Sequence, residues 1–271
     1  MPRTLSSGSE VLPAKRRALV LEVIRRTGMA SIQDLVAQIE ASPSTIRRDL
    51  EYLTSEGLLE RTHGGAILVS DIPTTFELDP SINVECRLSE KDAIGSHAAT
   101  LLRNGESVIF DASSTVLAAA AKAVDLKLKI TAVTNHMDIG RICAAQGHWR
   151  TYVLGGTLRE PPSMILGEAA EAQLSKMHAD TCFLGAYAVT GSVLTDPLPE
   201  VASLKRCMIR SARRVIALLD GSKFRAPAFA EFCHIEQITE IVTDTSAPPD
   251  EVESLRRNGC KVTVVDSSRE G

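Results

Sequence analysis

The sequence predicts two unlike folds in one α/β chain: a small helical module, then a larger unit built on a largely parallel, Rossmann-like sheet. Three observations predict this. Apolar residues fall at helical spacing up to about residue 67, and beyond residue 89 short β-rich runs alternate with helix-like stretches. Between them, VSDIPTTFELDPSINVECRLS sustains no helical period and carries Pro73 and Pro80. The expected division is a first domain over 13–68, a linker over 69–88 and a second domain over 89–266. At 271 residues the chain is long enough for two hydrophobic cores.

In the first domain Leu19, Val20, Val23 and Ile24 place one apolar stripe on a helix from about Lys15 to Thr27, which Gly28 ends at the usual breaker position. A second helix starts at Ser31 as N-cap, with Asp34 completing a variant capping box and Leu35, Val36 and Ile39 facing inward; it ends by Ala41. Ser42 caps a third helix that has Pro43 at its first position, where a missing N–H costs nothing, and that buries Ile46, Leu50 and Leu53 up to Gly57. The helix-turn-helix pair falls at about 30–49. Leu58 to Ile67 then predicts a β-hairpin with its turn at Gly64 and Gly65.

With Ile46, Leu50 and Leu53 turned to the core, Ser44, Thr45, Arg47 and Arg48 project outward and gather, with Ser42, at a helix N-terminus. Guanidinium groups bond bidentately to guanine, and hydroxyls and N-terminal amides hold phosphate, so this end of the helix suits a DNA major groove. Arg61 and His63 in the hairpin reach backbone or minor groove. Asp49 does not suit phosphate; its expected role is to pair with an arginine or orient it.

Composition sets limits on the rest. Hydrophobic residues make 44% and charged ones 24%, which excludes wholesale disorder and fibrous repeats. No apolar run reaches the roughly 18 residues that cross a bilayer, and the start lacks the apolar core of a secretory signal, so a cytoplasmic location and no membrane partner are expected. Six scattered cysteines without a C-x-x-C pair predict reduced, mostly buried thiols, with no metal site and no cofactor. The net charge of −4 argues against a uniformly basic coat, yet residues 1–28 hold Arg3, Lys15, Arg16, Arg17, Arg25 and Arg26 against only Glu10 and Glu22.

The run ASIQDLVAQIEASPSTIRRDLEYLTSEGLLERTHGGAIL closely resembles the winged helix-turn-helix of the DeoR family of bacterial transcription regulators, whose hallmark is TIRRDL followed by an R-x-H-G-G wing. From about Leu88 to Asp266 the chain resembles that family's C-terminal sensor, which is related to sugar-phosphate isomerases. The resemblance implies a repressor of a carbohydrate-utilisation operon that binds double-stranded operator DNA as a homo-oligomer, dimer or tetramer, under control of a phosphorylated sugar.

In the second domain the expected strands are 107–111, 129–134, 151–154, 181–185, 215–219, 241–243 and 261–265. Helices are expected from Ser89, capped by a Ser89–Asp92 box, and over 116–124, 137–146, 168–177 and 203–212. Such alternation predicts a sheet covered on both faces, with ligand beyond the carboxyl ends of its strands. The first of those ends, Asp111-Ala112-Ser113-Ser114-Thr115, leads into an apolar helix and reads as a phosphate cradle, although plain N-capping needs only one of the hydroxyls. The family loop usually reads D-S-G-T-T, from which Asp111-Ala112-Ser113-Ser114-Thr115 departs. Thr134-Asn135, Gly155-Gly156-Thr157 and Gly185-Ala186 follow the next strands, where small or amide-bearing residues let a ligand approach backbone. Lys205, Arg206, Asp220 and Lys223 match the family's Lys-Arg and D-x-S-K-F runs, and Lys205 and Lys223 are expected at the effector. For Arg159, after the Gly-Gly-Thr loop, surface solvation weighs at least as much as phosphate contact.

An isomerase is the second reading. It needs a proton-shuttling carboxylate and an electrophile for the enediolate. Related sequences carry an aspartate in a Gly-Ala-Asp run where this chain has Gly185-Ala186-Tyr187, and nothing in sequence positions Asp196 or Glu200 in its place. The expectation is binding without turnover, with Tyr187 either lining the pocket or simply packing.

Overall fold

A computed structural model describes residues 12–69, 73–75, 77 and 80–267. They fall into two compact units: residues 12–69 with 80–86, and residues 73–75 and 77 with 87–267. Arg3, Glu10 and the side chain of Arg26, part of the expected basic stretch, lie outside the described residues.

In the first unit, α1 (Pro13–Thr27) is closed by Gly28 in the left-handed conformation, at φ 76°. Its core stripe is Val20, Leu21 and Ile24, with Leu19 and Val23 half-buried. The buried face is therefore turned from the expected one, because α1 packs against three helices rather than two. β1 (Met29–Ser31) leads to α2 (Ile32–Ile39), where the expected box forms: Ser31 Oγ accepts the Asp34 N–H and the Asp34 carboxylate accepts the Ser31 N–H. α3 (Pro43–Ser55) is capped by Ser42 Oγ, which accepts the Thr45 N–H at 3.2 Å.

β2 (Leu59–Arg61) and β3 (Gly65–Leu68) make the expected hairpin, and β1 adds an antiparallel strand to the far side of β3. A Cβ on Gly65 would stand 2.0 Å from the Ala30 carbonyl oxygen, so only glycine lets β1 approach this closely. One further element falls where the sequence predicts linker. α4 (Pro80–Glu85) packs on α1, burying Ile82 and, just beyond it, Cys86. Fewer than two turns display no period, and Pro80 opens this helix rather than breaking one.

The second unit begins with α5 (Leu88–Thr100) and continues through β4 (Ser107–Phe110), α6 (Ser114–Ala123), β5 (Thr131–Thr134), α7 (Met137–Ala144) and β6 (Arg150–Val153). A short ribbon, β7 (Thr157–Arg159) and β8 (Met164–Leu166), precedes α8 (Glu168–Leu174) and β9 (Ala179–Leu184). Then come β10 (Ala188–Thr190), β11 (Val193–Asp196), α9 (Pro199–Arg210), β12 (Ala212–Leu218), β13 (Ala230–His234), β14 (Glu240–Asp244), α10 (Pro249–Arg257) and β15 (Val262–Val265).

All seven expected strands join one sheet in the order β15-β14-β12-β9-β4-β5-β6, with every neighbouring pair parallel. Side chains alternate as the pleat demands. Val108, Phe110, Phe183 and Ile216 face α5, α6 and α7, whereas Ile109, Cys182, Leu184 and Val215 face α8, α9 and α10. From β4 the chain steps outward to β5 and β6, then returns to the other side of β4 for β9, β12, β14 and β15. The sheet thus reverses direction between β4 and β9, the kind of switch point where open α/β sheets bind ligands.

The expected Ser89–Asp92 box is not formed. Arg87 is the N-cap, in the left-handed region at φ 53°, Ser89 Oγ turns to Glu90, and Asp92 pairs with Lys122. α9 starts at Pro199 rather than Ser203, and α10 and the strands β7, β8, β10, β11 and β13 were not foreseen.

Candidate functional site

On the first unit, Ser42, Ser44, Arg47, Arg48, Arg61 and His63 are exposed and Thr45 is half-buried. Ser42 Oγ lies 2.9 Å from Ser44 Oγ and 2.8 Å from Thr45 Oγ1, so the three hydroxyls form one cluster at the start of α3. Helical phase separates the Arg47-Arg48-Asp49 run: the arginines face out, while Asp49 is only 1% exposed. Its carboxylate accepts from Arg16 Nε at 2.5 Å and from Arg17 Nε at 3.3 Å, and the Arg17 guanidinium lies 3.6 Å above the Tyr52 ring. The acid of the motif is a clamp between α3 and α1. Arg16 and Arg17, counted in the basic stretch by sequence, are committed to it.

On the second unit, the switch point joins the ends of β4 and β9. Asp111, 1% exposed, accepts the Gly185 N–H at 2.9 Å. Lys205, also buried, donates from Nζ to the Gly185 carbonyl at 2.9 Å and to Asp196 at 3.2 Å, and stands 3.4 Å from Asp111. Burial pulls the ammonium pKa down, but Asp111 and Asp196 outweigh it and hold the group above its ordinary value. A Cβ on Gly185 would lie 2.4 Å from Ser113 Cβ, so glycine is what lets the two loops meet.

Ser113 caps α6 by accepting the Val116 N–H at a long 3.5 Å. Among the described residues no hydrogen bond engages the hydroxyl of Ser114 or Thr115. Both lie in the first turn of α6, whose amides precede the helix's own bonding pattern and favour an anion.

Other expected site residues serve the fold. Thr134 Oγ1 donates to the Phe110 carbonyl and accepts the His136 N–H. Gly155 donates its N–H to Gln173, and a Cβ on Gly156, at φ 153°, would stand 2.4 Å from the Leu166 carbonyl oxygen. The close backbone approach that the sequence assigns to a ligand is made there by β8 and α8. Asn135 is split: Nδ2 donates to the Ile165 carbonyl, while its buried Oδ1 has no partner among the described residues. His136 beside it accepts the Asp138 N–H on Nδ1, and burial holds its pKa below the ordinary value.

Lys223 lies beyond β12, one strand from β9, where its charge acts on buried Asp220. Arg206 donates to the Glu231 carbonyl. Tyr187 is gripped by Arg225, which donates twice to its carbonyl and stacks 3.7 Å over its ring. The Lys205–Asp196 and Tyr187–Arg225 pairings were missed; their partners are distant or fall on strands too short to show a period.

All six cysteines are buried free thiols, with Cys143 and Cys233 pushed up to about 12 by burial. Among the described residues no helix is long and apolar enough to cross a membrane.

A winged helix-turn-helix joined in one chain to a parallel α/β unit with polar side chains gathered at its switch point defines a DNA-binding transcription regulator. Comparison with known proteins gives its family. Residues 16–71 match the DeoR-like helix-turn-helix domain and residues 87–245 the DeoR C terminal sensor domain. The chain is 32% identical over 259 residues to the HTH-type transcriptional regulator GlpR of Haloferax volcanii, covering 94% of this chain and 98% of that one. It is 30% identical over 256 residues to the HTH-type transcriptional repressor GlcR of Bacillus subtilis, covering 93% and 96%. It is 31% identical over 232 residues to the glycerol-3-phosphate regulon repressor of Escherichia coli K12, covering 85% and 89%. The chain belongs to the DeoR family of transcriptional regulators. These relatives are regulators and repressors, not enzymes, in keeping with the sequence reading of binding without turnover.

Proposed function

We propose that this chain represses a carbohydrate-utilisation operon and that a phosphorylated sugar controls it from the switch-point crevice. Ser42, Ser44, Thr45, Arg47 and Arg48 of α3 meet operator DNA in the major groove, with Arg61 and His63 of the wing on backbone or minor groove. Copies of the chain associate as a dimer or tetramer, so that two α3 helices reach half-sites about 34 Å apart. The protein works in the cytoplasm, where operator and sugar are both present.

One observation carries the ligand half: the Ser114 and Thr115 hydroxyls, without partners among the described residues, stand at the amide end of α6 beside the β4–β9 reversal. A phosphate there accepts from hydroxyls and amides together. The unpartnered Asn135 Oδ1 suits a sugar hydroxyl. Lys205, neutralised by two aspartates, holds Asp111 and Gly185 in place and so shapes the crevice. The printed name of the glycerol-3-phosphate regulon repressor supports a phosphorylated polyol or sugar as the ligand class.

Control requires the sugar to prefer one of two states, with a coupling of about 1 to 3 kcal/mol. Release of DNA on sugar binding is the expected sign. The test is titration of labelled operator DNA with wild-type protein and with Thr115→Val, each challenged by sugar phosphates. The response is lost in the variant if the cradle is here; an equal response in both proteins moves the ligand elsewhere.

A further inference from the structure

Thr74 and Glu77 lie in the connecting stretch outside both family matches, yet each is bonded to the sensor unit. Glu77 accepts from Arg159 Nη1 at 2.9 Å and from Nη2 at 2.5 Å, a two-bond fork, and the Thr74 carbonyl accepts the Phe229 N–H at 2.9 Å. Arg159 is therefore not simply solvated: its side chain is 35% exposed and that of Glu77 28%.

Arg159 ends β7 and pairs in register with Met164 of β8, which bridges His136 just beyond β5; besides Glu77, the charges of Asp196 and Glu200 act on it. Asp196 is the carboxylate that accepts from Lys205, which in turn stands against Asp111. β8 lies against the carboxyl end of β5, where the Ile165 N–H donates to the Asn135 carbonyl at 2.7 Å, so Arg159 stands on the side of the sheet that carries the switch point. There Asp196 and Glu200 oppose an arriving anion unless a cation offsets them. A guanidinium fork fits a phosphate or a ligand carboxylate as well as it fits Glu77.

We infer that Arg159 is an anion-binding residue of the crevice and that the linker carboxylate Glu77 competes for it, so that an anionic sugar taking Arg159 releases the linker. The inference rests on the proposed sugar-phosphate site. A part-exposed ion pair shifts an equilibrium by roughly fivefold or less, weak enough for a charged ligand to displace. The same stretch of chain runs from the DNA reader to the sensor, so ligand binding and linker restraint are coupled through one side chain.

The test uses full-length wild type, Glu77→Gln, Arg159→Gln and Arg159→Lys. Probes are glycerol 3-phosphate, glucose 6-phosphate, fructose 1-phosphate and ribose 5-phosphate, with the unphosphorylated compounds as controls. Hydrogen exchange at 111–115 reports the crevice and exchange at 74–77 reports the linker. The inference predicts that a probe protecting 111–115 speeds exchange at 74–77 in wild type. It also predicts binding about two- to fivefold tighter to Glu77→Gln and weaker to Arg159→Gln, with partial recovery in Arg159→Lys. Protection of 111–115 with equal affinity in all four proteins and no change at 74–77 overturns the inference while leaving the crevice reading intact. If no probe protects 111–115 in wild type, the crevice reading fails and the inference falls with it.

Discussion

The Arg16 guanidinium on α1 closes on the Asp49 carboxylate on α3 through both Nε and Nη2, and Asp49 is only 1% exposed. This pair fixes how α3 is presented. With the acid of the Arg47-Arg48-Asp49 run turned inward, both arginines stand exposed on the outer face.

Replacing Asp49 by Ala removes the buried carboxylate that Arg16 and Arg17 share, which costs on the order of 3 kcal/mol. Urea unfolding of the full chain should show the first unit melting earlier, with Asp49→Asn in between. An unchanged midpoint would mean that the pair adds nothing to stability.

Arg47→Ala should weaken operator binding by about 1 to 3 kcal/mol and relax specificity if Arg47 reads a base. A phosphate-only arginine would instead weaken all sequences alike and flatten the salt dependence. Anisotropy titrations on operator and scrambled DNA at two salt concentrations separate the two outcomes, and no effect on either would remove α3 from the interface.

Gly64 and Gly65 are adjacent yet should respond oppositely. A Cβ on Gly64 meets nothing within 4 Å, whereas one on Gly65 meets Ala30 backbone at 2.0 Å. Gly64→Ala should stay within about 0.5 kcal/mol of wild type, and Gly65→Ala should lose about 2 kcal/mol or more by driving β1 off β3. Thermal denaturation of the two variants checks this, and equal melting would contradict the packing described.

Asp220 carries a pH signature. Burial works to raise its pKa, but Lys223, the Ser222 hydroxyl, Lys91 and Arg87 outweigh it and bring the carboxyl from an ordinary 3.8 to about 2. The folded value lies below the unfolded one, so its stabilisation is complete above about pH 4 and is lost as pH falls toward 2. At 1.36 kcal/mol per unit this is about 2 kcal/mol. Asp220→Asn should therefore be less stable than wild type at pH 7 by about that amount, with the gap closing in acid; a gap independent of pH would contradict it.

Local chemistry was largely legible in the sequence. The Ser31 and Ser42 caps, Gly28, and the strands of the parallel sheet follow from residues within a few positions of one another. Some short elements were not legible: β1, α4 and the β7–β8 ribbon are too short to display a period. Strand order was not legible either, and with it the β4–β9 reversal that brings Asp111 to Gly185. Gly155 and Gly156 show the limit of composition, since a glycine pair read as room for a ligand is here packed against Gln173 of α8 and Leu166 of β8.

The most direct measurement is anisotropy of labelled DNA from upstream of the protein's own operon, titrated with the full chain and then challenged with phosphorylated and free sugars. The account predicts tight, salt-sensitive binding that one phosphorylated sugar abolishes and its unphosphorylated form does not. DNA binding indifferent to every sugar phosphate, or no DNA binding at all, would contradict it.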